Sequence, residues 1–530
     1  MSRTLILLFC LLILSPSAYV AWQARDMPQF GRSQDDSIYF ASAKSIAQGH
    51  GYRILSLPGE PFQTKYPPLF PILLTLVWKF KPDFPGNLPL ATLVCWLMLP
   101  MFLAASWLFY KRLGLPQWQC YFLIGLLGLN YVVVVFSVAV MPELMFSTLL
   151  LVSVILADQA TGNSNSWEAF AAAVLASAAY LTKSAALPLL FSVPLLFVLR
   201  QRIRCAAVFF ATMSVTVIGW NLWIYRHLLP VSDENELYYV SYWGYRSLTV
   251  SSEDLPRMIV QNARTLVLSI AESLDLHGSA GALGDAIHIS ITLAMIVGLF
   301  WTARRFQVSH YHAFALGYLP VLLLWHYRPN ARFLLPLIPL FLGGFFHVLQ
   351  EATKGVVNLI KRDTVLSVGL SLIFSAVLSL LIGVLFVSYC STPREILPDM
   401  ARWREQQRLR LPSYDLISKQ IPVSSAFIAY EDSVFYLYTG HHARSLQGRP
   451  NLWDSLANFG REHKLEYLFL TTDDFDRESG SDHIRSMVDR VMQSGTDFEL
   501  WSRDGGSSIY KIKKRPVVGL GDGIPNTVSQ

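Results

Sequence analysis

Long apolar stretches alternate with short polar ones along most of the chain. Eleven runs are apolar over enough length to be read as membrane crossings, near 4–22, 88–110, 118–136, 144–158, 167–182, 185–200, 205–225, 286–303, 309–325, 333–350 and 364–388. A helix that crosses the hydrocarbon core needs about 20 such residues. The first run starts after Arg3 and reaches small residues near Ser15 and Ala21, so it suits a cleaved signal peptide or an uncleaved first span. Either way, the residues from 23 onward are exported. Two further stretches lie between the first and second runs. In 36–48, Ile38, Phe40, Ala41, Ile46 and Ala47 recur at helical spacing, and Gly49-His50-Gly51 stops the pattern. The run 69–80 comes after Tyr66-Pro67-Pro68, is too short to span, and is expected to lie at the membrane interface.

The pattern changes near residue 391. Charged residues become frequent, and strand-like runs at 426–430, 466–471 and 508–512 alternate with helical stretches such as 398–409 and 451–463. The expected fold is an α-helical polytopic membrane protein with about 11 transmembrane helices in residues 1–390, joined to a small C-terminal α/β extracytoplasmic domain in 391–530. The membrane part has two large outer loops, 23–87 with interfacial helices and 226–285. No internal repeat or low-complexity tract interrupts it.

Composition agrees with lipid as the main solvent. The 530 residues are 53% hydrophobic and 15% charged, with a mean hydropathy of +0.38, whereas soluble domains carry about 25% charged residues. The net charge of +6 is spread in short groups, which excludes a nucleic-acid-binding patch. Those groups test the topology, since cytoplasmic loops collect Lys and Arg. With the N-terminus cytoplasmic, Lys111-Arg112, Arg200 to Arg204, Arg304-Arg305, and Lys354 with Lys361-Arg362 all fall inside, and only the loop 159–166 is neutral. Residues 23–87, 226–285 and 389–530 then lie outside, in a multi-pass protein of the inner (plasma) membrane. Of Cys10, Cys95, Cys120, Cys205 and Cys390, four lie in apolar runs and none in a CxxC spacing. Neither a disulfide framework nor a cysteine metal site is expected.

Candidate chemistry gathers in the loops expected outside. Asp35 and Asp36 open the first loop helix, where one carboxylate serves as a helix cap and the second invites a role as general base or ligand. Lys65 precedes a proline-stiffened segment that suits either a fixed contact to phosphate or a snorkelling cation. Glu143 begins the fourth run as an end-cap or as an acid facing the same cavity. Lys183 stands alone between two apolar runs, on the side where cations are scarce. The loop His326-Tyr327-Arg328-Pro329-Asn330-Ala331-Arg332 carries two guanidiniums suited to phosphate or to lipid headgroups. In 232–246, Asp233, Glu234 and Glu236 mix with Tyr238, Tyr239, Tyr242, Trp243 and Tyr245, as in a sugar site or an interfacial aromatic belt. P-loop, GxGxxG, HExxH and GxSxG patterns are absent. Acids deep in the runs are nearly absent too, which weighs against an ion-coupled transporter.

The first loop, Asp35-Asp36-x-x-Tyr39 through Ile46-Ala47-x-Gly49-x-Gly51-Tyr52 and then Tyr66-Pro67-Pro68-Leu69-Phe70-Pro71, resembles the GT-C glycosyltransferases. Within them it resembles the protein O-mannosyltransferase-like and aminoarabinose-transferase-like enzymes. Glu143 matches an acid early in the fourth span there. Arg328 to Pro339 resembles the arginine-then-proline segment, and Ser433 to Arg444 looks like the Tyr-x-Thr-Gly-Arg segment of bacterial outer domains. The resemblance implies a polyprenyl-phosphate-linked sugar as donor and membrane lipid as partner. It also implies inverting transfer at the outer face, to a lipid, glycan or protein acceptor that the sequence does not specify. It casts Asp35 or Asp36 as the base and Lys65, Arg328 and Arg332 as holders of the donor phosphate; Glu143 is placed with the catalytic acids, Lys183 with the phosphate holders, and Tyr66, Tyr39 and His326 as substrate contacts. Two departures stand out: Tyr66, not a lysine, directly precedes the paired prolines, and His441 replaces the arginine after Tyr-Thr-Gly. The family varies in metal use, so no cofactor is assigned and a divalent metal stays open. A lipid-linked-sugar transporter or flippase, or a non-catalytic envelope glycan assembly protein, are the alternative readings.

Overall fold

Residue choice at the borders of the apolar runs sets where helices begin, end and bend. The computed structural model describes residues 3–228, 234–242, 244, 250–272, 282–306, 308–326, 328–360, 365–445, 456–471, 495–504 and 506–514. Among the candidate and topology residues, Asp233, Trp243, Tyr245, Tyr327, Lys361 and Arg362 lie outside these, as do 451–455 of the expected helix 451–463. The chain divides into two units, one of Met1–Ile54 with Pro61–Trp403 and one of Leu55–Glu60 with Arg404–Gln530.

In the first unit, α1 (Arg3–Gln23) leads to two short helices, α2 (Asp35–Ala47) and α3 (Leu69–Phe80). Then come α4 (Leu88–Arg112), α5 (Gln117–Leu129), α6 (Tyr131–Ser137), α7 (Glu143–Asn163), α8 (Ser166–Thr182), α9 (Leu189–Leu199) and α10 (Ile203–His227). After α11 (Glu234–Val240) come α12 (Leu255–Glu272), α13 (Ala282–Phe306), α14 (His310–Leu323), α15 (Ala331–Leu334) and α16 (Ile338–Ile360). Next in the chain, α17 (Val365–Gln420) begins in the first unit and ends in the second.

Six helical stretches among the described residues are long and apolar enough to cross a membrane, or seven if the α5–α6 pair, bent by 60°, is one span. Four of the other expected runs form shorter or broken helices among the described residues. Asn130 breaks the 118–136 run by capping α6, its side chain accepting from Val133 N at 3.1 Å. The 185–200 and 309–325 runs form only the 11-residue α9 and the 14-residue α14. Helix α8 has 17 residues and a cap from Asn165 to Trp167 N at 3.0 Å.

The helices pack through small residues. Ala169, Ala172, Ala173, Ala176 and Ala179 form a fully buried stripe on α8, and Ser153 of α7 donates to Ala172 O at 2.8 Å. Without a hydrophobic driving force between helices in lipid, such close backbone approach is what holds them. Helices α13 and α16 touch the same way, where a Cβ on Gly298 would collide with the Gly344 carbonyl.

The second unit holds a five-stranded sheet of β1 (Phe427–Ala429), β2 (Ala443–Arg444), β3 (Tyr467–Thr471), β4 (Phe498–Asp504) and β5 (Ser507–Ile512) in the order β2-β1-β3-β5-β4. β1 pairs parallel with β2 and β3, and β5 antiparallel with β3 and β4. Phe427, Phe469 and Tyr467 pack on one face with Tyr414 and Ile417 of α17. Ile428, Leu468 and Leu470 pack on the other with Leu456 and Phe459 of α19 (Leu456–Glu462), which comes after α18 (Asp432–Thr439) in chain order. Burial on both faces makes these strands continuous apolar runs. Leu55–Glu60 joins this unit through Ala443 N to Ser56 O at 2.8 Å and Ser56 Oγ to Ser433 Oγ at 3.1 Å.

Candidate active site

Five segments of the first unit bring their polar side chains to one place. Asp35 is the first residue of α2, Lys65 and Tyr66 precede the paired prolines, Glu143 opens α7, and Arg332 lies in α15. Asn330 caps α15 by accepting from Arg332 N at 3.1 Å, which fixes the start of the turn that carries the arginine. The Arg332 guanidinium donates through Nε to Glu143 Oε1 at 2.5 Å and through Nη2 to Asp35 Oδ2 at 2.9 Å. Lys183, held extended just after α8, donates to the same Glu143 oxygen at 3.0 Å. Glu143 is 1% exposed, and its Oε2 has no hydrogen-bond partner among the described residues. The second Asp35 oxygen accepts from Tyr66 Oη at 2.5 Å.

The two neighbouring aspartates part company. Asp36 is buried and accepts from Gly31 N at 2.9 Å and from Ser37 N at 2.8 Å, so it folds the chain onto the start of α2. Asp35 faces a cavity of about 920 Å³, which Asp36 and Glu143 do not line.

Lys65 is 7% exposed and enters this cavity among three rings. Its Nζ lies 3.8 Å from the Tyr238 ring centre, 5.0 Å from that of Tyr242 and 5.1 Å from that of Tyr66. Cation–π attraction suits such a cage. Burial pulls the Lys65 amine down to about 8, with Asp35 acting in the opposite sense. Burial likewise pushes the Tyr39 and Tyr66 hydroxyls well up, so both stay protonated across the physiological range. Tyr39 stands edge-on to Tyr66 at 4.9 Å and to Phe70 at 5.4 Å. His326 rests on Trp325 at 5.1 Å, and the exposed Arg328 stands at the cavity wall. Among the described residues, Lys65 and Arg328 have no carboxylate partner, whereas Lys183 and Arg332 do.

From this polar head the cavity continues as an apolar groove between α9 and α14, past Pro188, Phe191, Leu195 and Leu199 on one side and Gly317, Leu316 and Ala313 on the other. The motifs did not point to this groove, nor to Tyr238 and Tyr242 as partners of Lys65.

A divalent metal does not fit these residues. No three His, Cys, Asp or Glu side chains converge among the described residues. Asp35 and Glu143 are both already bonded to Arg332, and two further cations stand beside them.

The helices and their order define a multi-pass membrane protein with the fold of the GT-C glycosyltransferases. ArnT from Cupriavidus metallidurans, bound to undecaprenyl phosphate, matches over 96% of this chain and 98% of its own, with a TM-score of 0.55 and 11% identity. The oligosaccharyltransferase of Archaeoglobus fulgidus, tethered with an acceptor peptide containing the NVT sequon, matches over 89% of this chain and 69% of its own, with a TM-score of 0.50 and 8% identity. No protein-family model and no curated protein matches the sequence.

Proposed function

We propose that this chain is an inverting glycosyltransferase that moves a sugar from a polyprenyl-phosphate donor to an acceptor on the outer face of the inner membrane. The observation that carries this reading is the caged Lys65 ammonium, without a carboxylate partner, at the head of an apolar groove and in the same cavity as Asp35. A lipid phosphate has the matching shape, an anion at the end of a long apolar chain. The undecaprenyl phosphate bound to the ArnT structure of the same fold supports it.

In this mechanism the donor tail lies in the groove between α9 and α14 and the phosphate meets Lys65 and Arg328. Asp35 accepts the proton of the acceptor hydroxyl as its oxygen attacks the sugar C1. The C1–O bond breaks, its electron pair stays on the phosphate oxygen, and the cations stabilise the charge that develops there. Glu143 acts through others, holding Arg332 and Lys183 in place. Tyr66 orients Asp35, and Tyr39 and His326 line the space left for the sugar. No step runs through a metal.

The finer architecture is part of the same proposal: eleven crossings, a cytoplasmic N-terminus, and an extracytoplasmic α/β domain from 391 on. The cationic clusters between the runs support it.

The test is transfer of radiolabelled sugar from polyprenyl-phosphate donors by the purified protein in lipid, beside Asp35→Asn. Label reaching an acceptor with the wild type alone supports a transferase with its base at Asp35. Donor moved across the bilayer without transfer would instead support a flippase.

A further inference from the structure

The segment that carries Lys65 and Tyr66 has no regular structure to hold it. Pro67 and Pro68 come next and have no N–H to give to a ladder. The buried amides of Lys65 and Tyr66 must therefore find acceptors elsewhere. Both find the same atom: Gln63 Oε1 accepts from Lys65 N at 3.0 Å and from Tyr66 N at 3.3 Å. Gln63 is 0% exposed and is itself fixed. Its N–H donates to Tyr52 O at 2.9 Å, and its carbonyl accepts from Trp223 Nε1 at 3.0 Å. The far side of the segment is tied too, since Tyr52 Oη donates to Tyr66 O at 2.9 Å.

We propose that Gln63 is a positioning residue of the donor site, whose side-chain oxygen folds the 65–66 peptide so that Lys65 enters the tyrosine cage and Tyr66 reaches Asp35. The choice of glutamine is informative. Among the described residues its Nε2 is buried without a hydrogen-bond partner, an arrangement that burdens stability. A glutamate would offer the same acceptor without an idle amide. It would also add a negative charge at the Lys65 backbone amide, two residues away in sequence. The neutral acceptor adds no charge to that of Asp35, the carboxylate that acts on the Lys65 ammonium. The role in catalysis rests on the proposed lipid-phosphate donor; the role in positioning does not.

The test uses the full-length protein in phosphatidylcholine nanodiscs and reads Lys65 directly. Amine acetylation at Lys65, quantified by mass spectrometry over a pH series, gives a midpoint near 8 in the wild type. Gln63→Met moves that midpoint up toward the ordinary lysine range, because Lys65 is no longer held in the cage. Gln63→Glu keeps both amide bonds and also moves the midpoint up, through the added charge. Undecaprenyl phosphate is the binding probe, and Gln63→Met weakens it about tenfold, the effect of losing a hydrogen-bonded arrangement worth roughly one such bond. A Lys65 midpoint unchanged in both variants overturns the proposal. Gln63→Met with a lowered unfolding temperature but wild-type midpoint and affinity also overturns it, since that is a merely structural residue. A wild type that does not bind undecaprenyl phosphate, with the midpoint still moving in the variants, upholds the positioning and overturns the lipid-phosphate donor.

Discussion

Arg332 meets Glu143 across 189 positions of sequence, Nε to Oε1 at 2.5 Å, with the carboxylate almost wholly shielded from solvent. Lys183 shares that oxygen. Removing Glu143 leaves Lys183 charged and unanswered and Arg332 with Asp35 alone, and breaking a buried pair in this way destabilises by about 3–5 kcal/mol. Glu143→Leu should therefore lower the unfolding temperature and abolish activity together. Glu143→Gln keeps an acceptor for Lys183 or Arg332 and should lose less. The measurement is thermal unfolding in detergent beside transfer. A variant that unfolds like the wild type but has no activity would make Glu143 a reacting group rather than a scaffold.

Asp35 and Asp36 should separate in the same pair of assays. Asp35 reaches the cavity, so Asp35→Asn should cut transfer by about 10²–10⁴-fold, the worth of a general base. Its unfolding temperature should change little. Asp36→Ala removes the acceptor for Gly31 N and Ser37 N and should destabilise by about 1 kcal/mol, as lost caps do. The folded fraction of that variant should keep most of its activity. The reverse result would exchange their roles.

How far the residues alone foretold this arrangement depends on how local each signal is. Helix α3 spans the run expected of it, Leu69–Phe80, and α2 begins at Asp35, one residue before the expected start. Proline and glycine mark those limits within the segment itself. The groove was illegible, because α9 and α14 come from runs that read as ordinary crossings. What makes them line a cavity is their shortness and their pairing, 121 residues apart from the start of one to the start of the other (310 minus 189). β4 was missed for another reason: on the edge of its sheet it alternates poorly, with Glu499, Leu500, Arg503 and Asp504 exposed. Gln63 left no trace in periodicity, since a side chain that bonds its own neighbours' amides leaves no spacing to read. The adjacency of Asp35 and Asp36 gave no way to tell their surroundings apart; the folded loop turns Asp36 to Gly31 and leaves Asp35 facing the cavity.

Lys65 predicts a pH dependence. Its amine titrates near 8 because burial disfavours the charged form, so it is protonated below that pH and neutral above. The donor kcat/KM should fall as pH rises through about 8, while the unfolded chain would still hold this proton up to the ordinary lysine range. Folding stability from this group therefore increases between about 8 and 10.5, opposite in direction to activity. Lys65→Arg should move the falling limb to higher pH, since a guanidinium stays charged. Lys65→Met should be weak at every pH. An unchanged limb in Lys65→Arg would assign the titration to another group.

The groove predicts a dependence on tail length. From Pro188 to Leu199 its α9 wall is about 16 Å long at 1.5 Å per residue. Gly317 of α14 lies near its head, where an added Cβ would come within 3.2 Å of Pro188 Cβ and 3.9 Å of Ser192 Cβ. Gly317→Leu should fill the passage there, and overpacking of this kind opposes a ligand by about 1–3 kcal/mol. The lining beyond it, at Leu195, Leu199 and Leu316, would then be cut off from a tail entering at Lys65. Undecaprenyl phosphate should bind at least tenfold more weakly, on the scale of that penalty. Geranyl phosphate, whose tail is too short to need the far wall, should bind nearly as it does to the wild type. Comparing the two affinities in one variant separates a blocked groove from a damaged site. Equal losses would mean that Gly317→Leu disturbs the phosphate end and that the tail runs elsewhere.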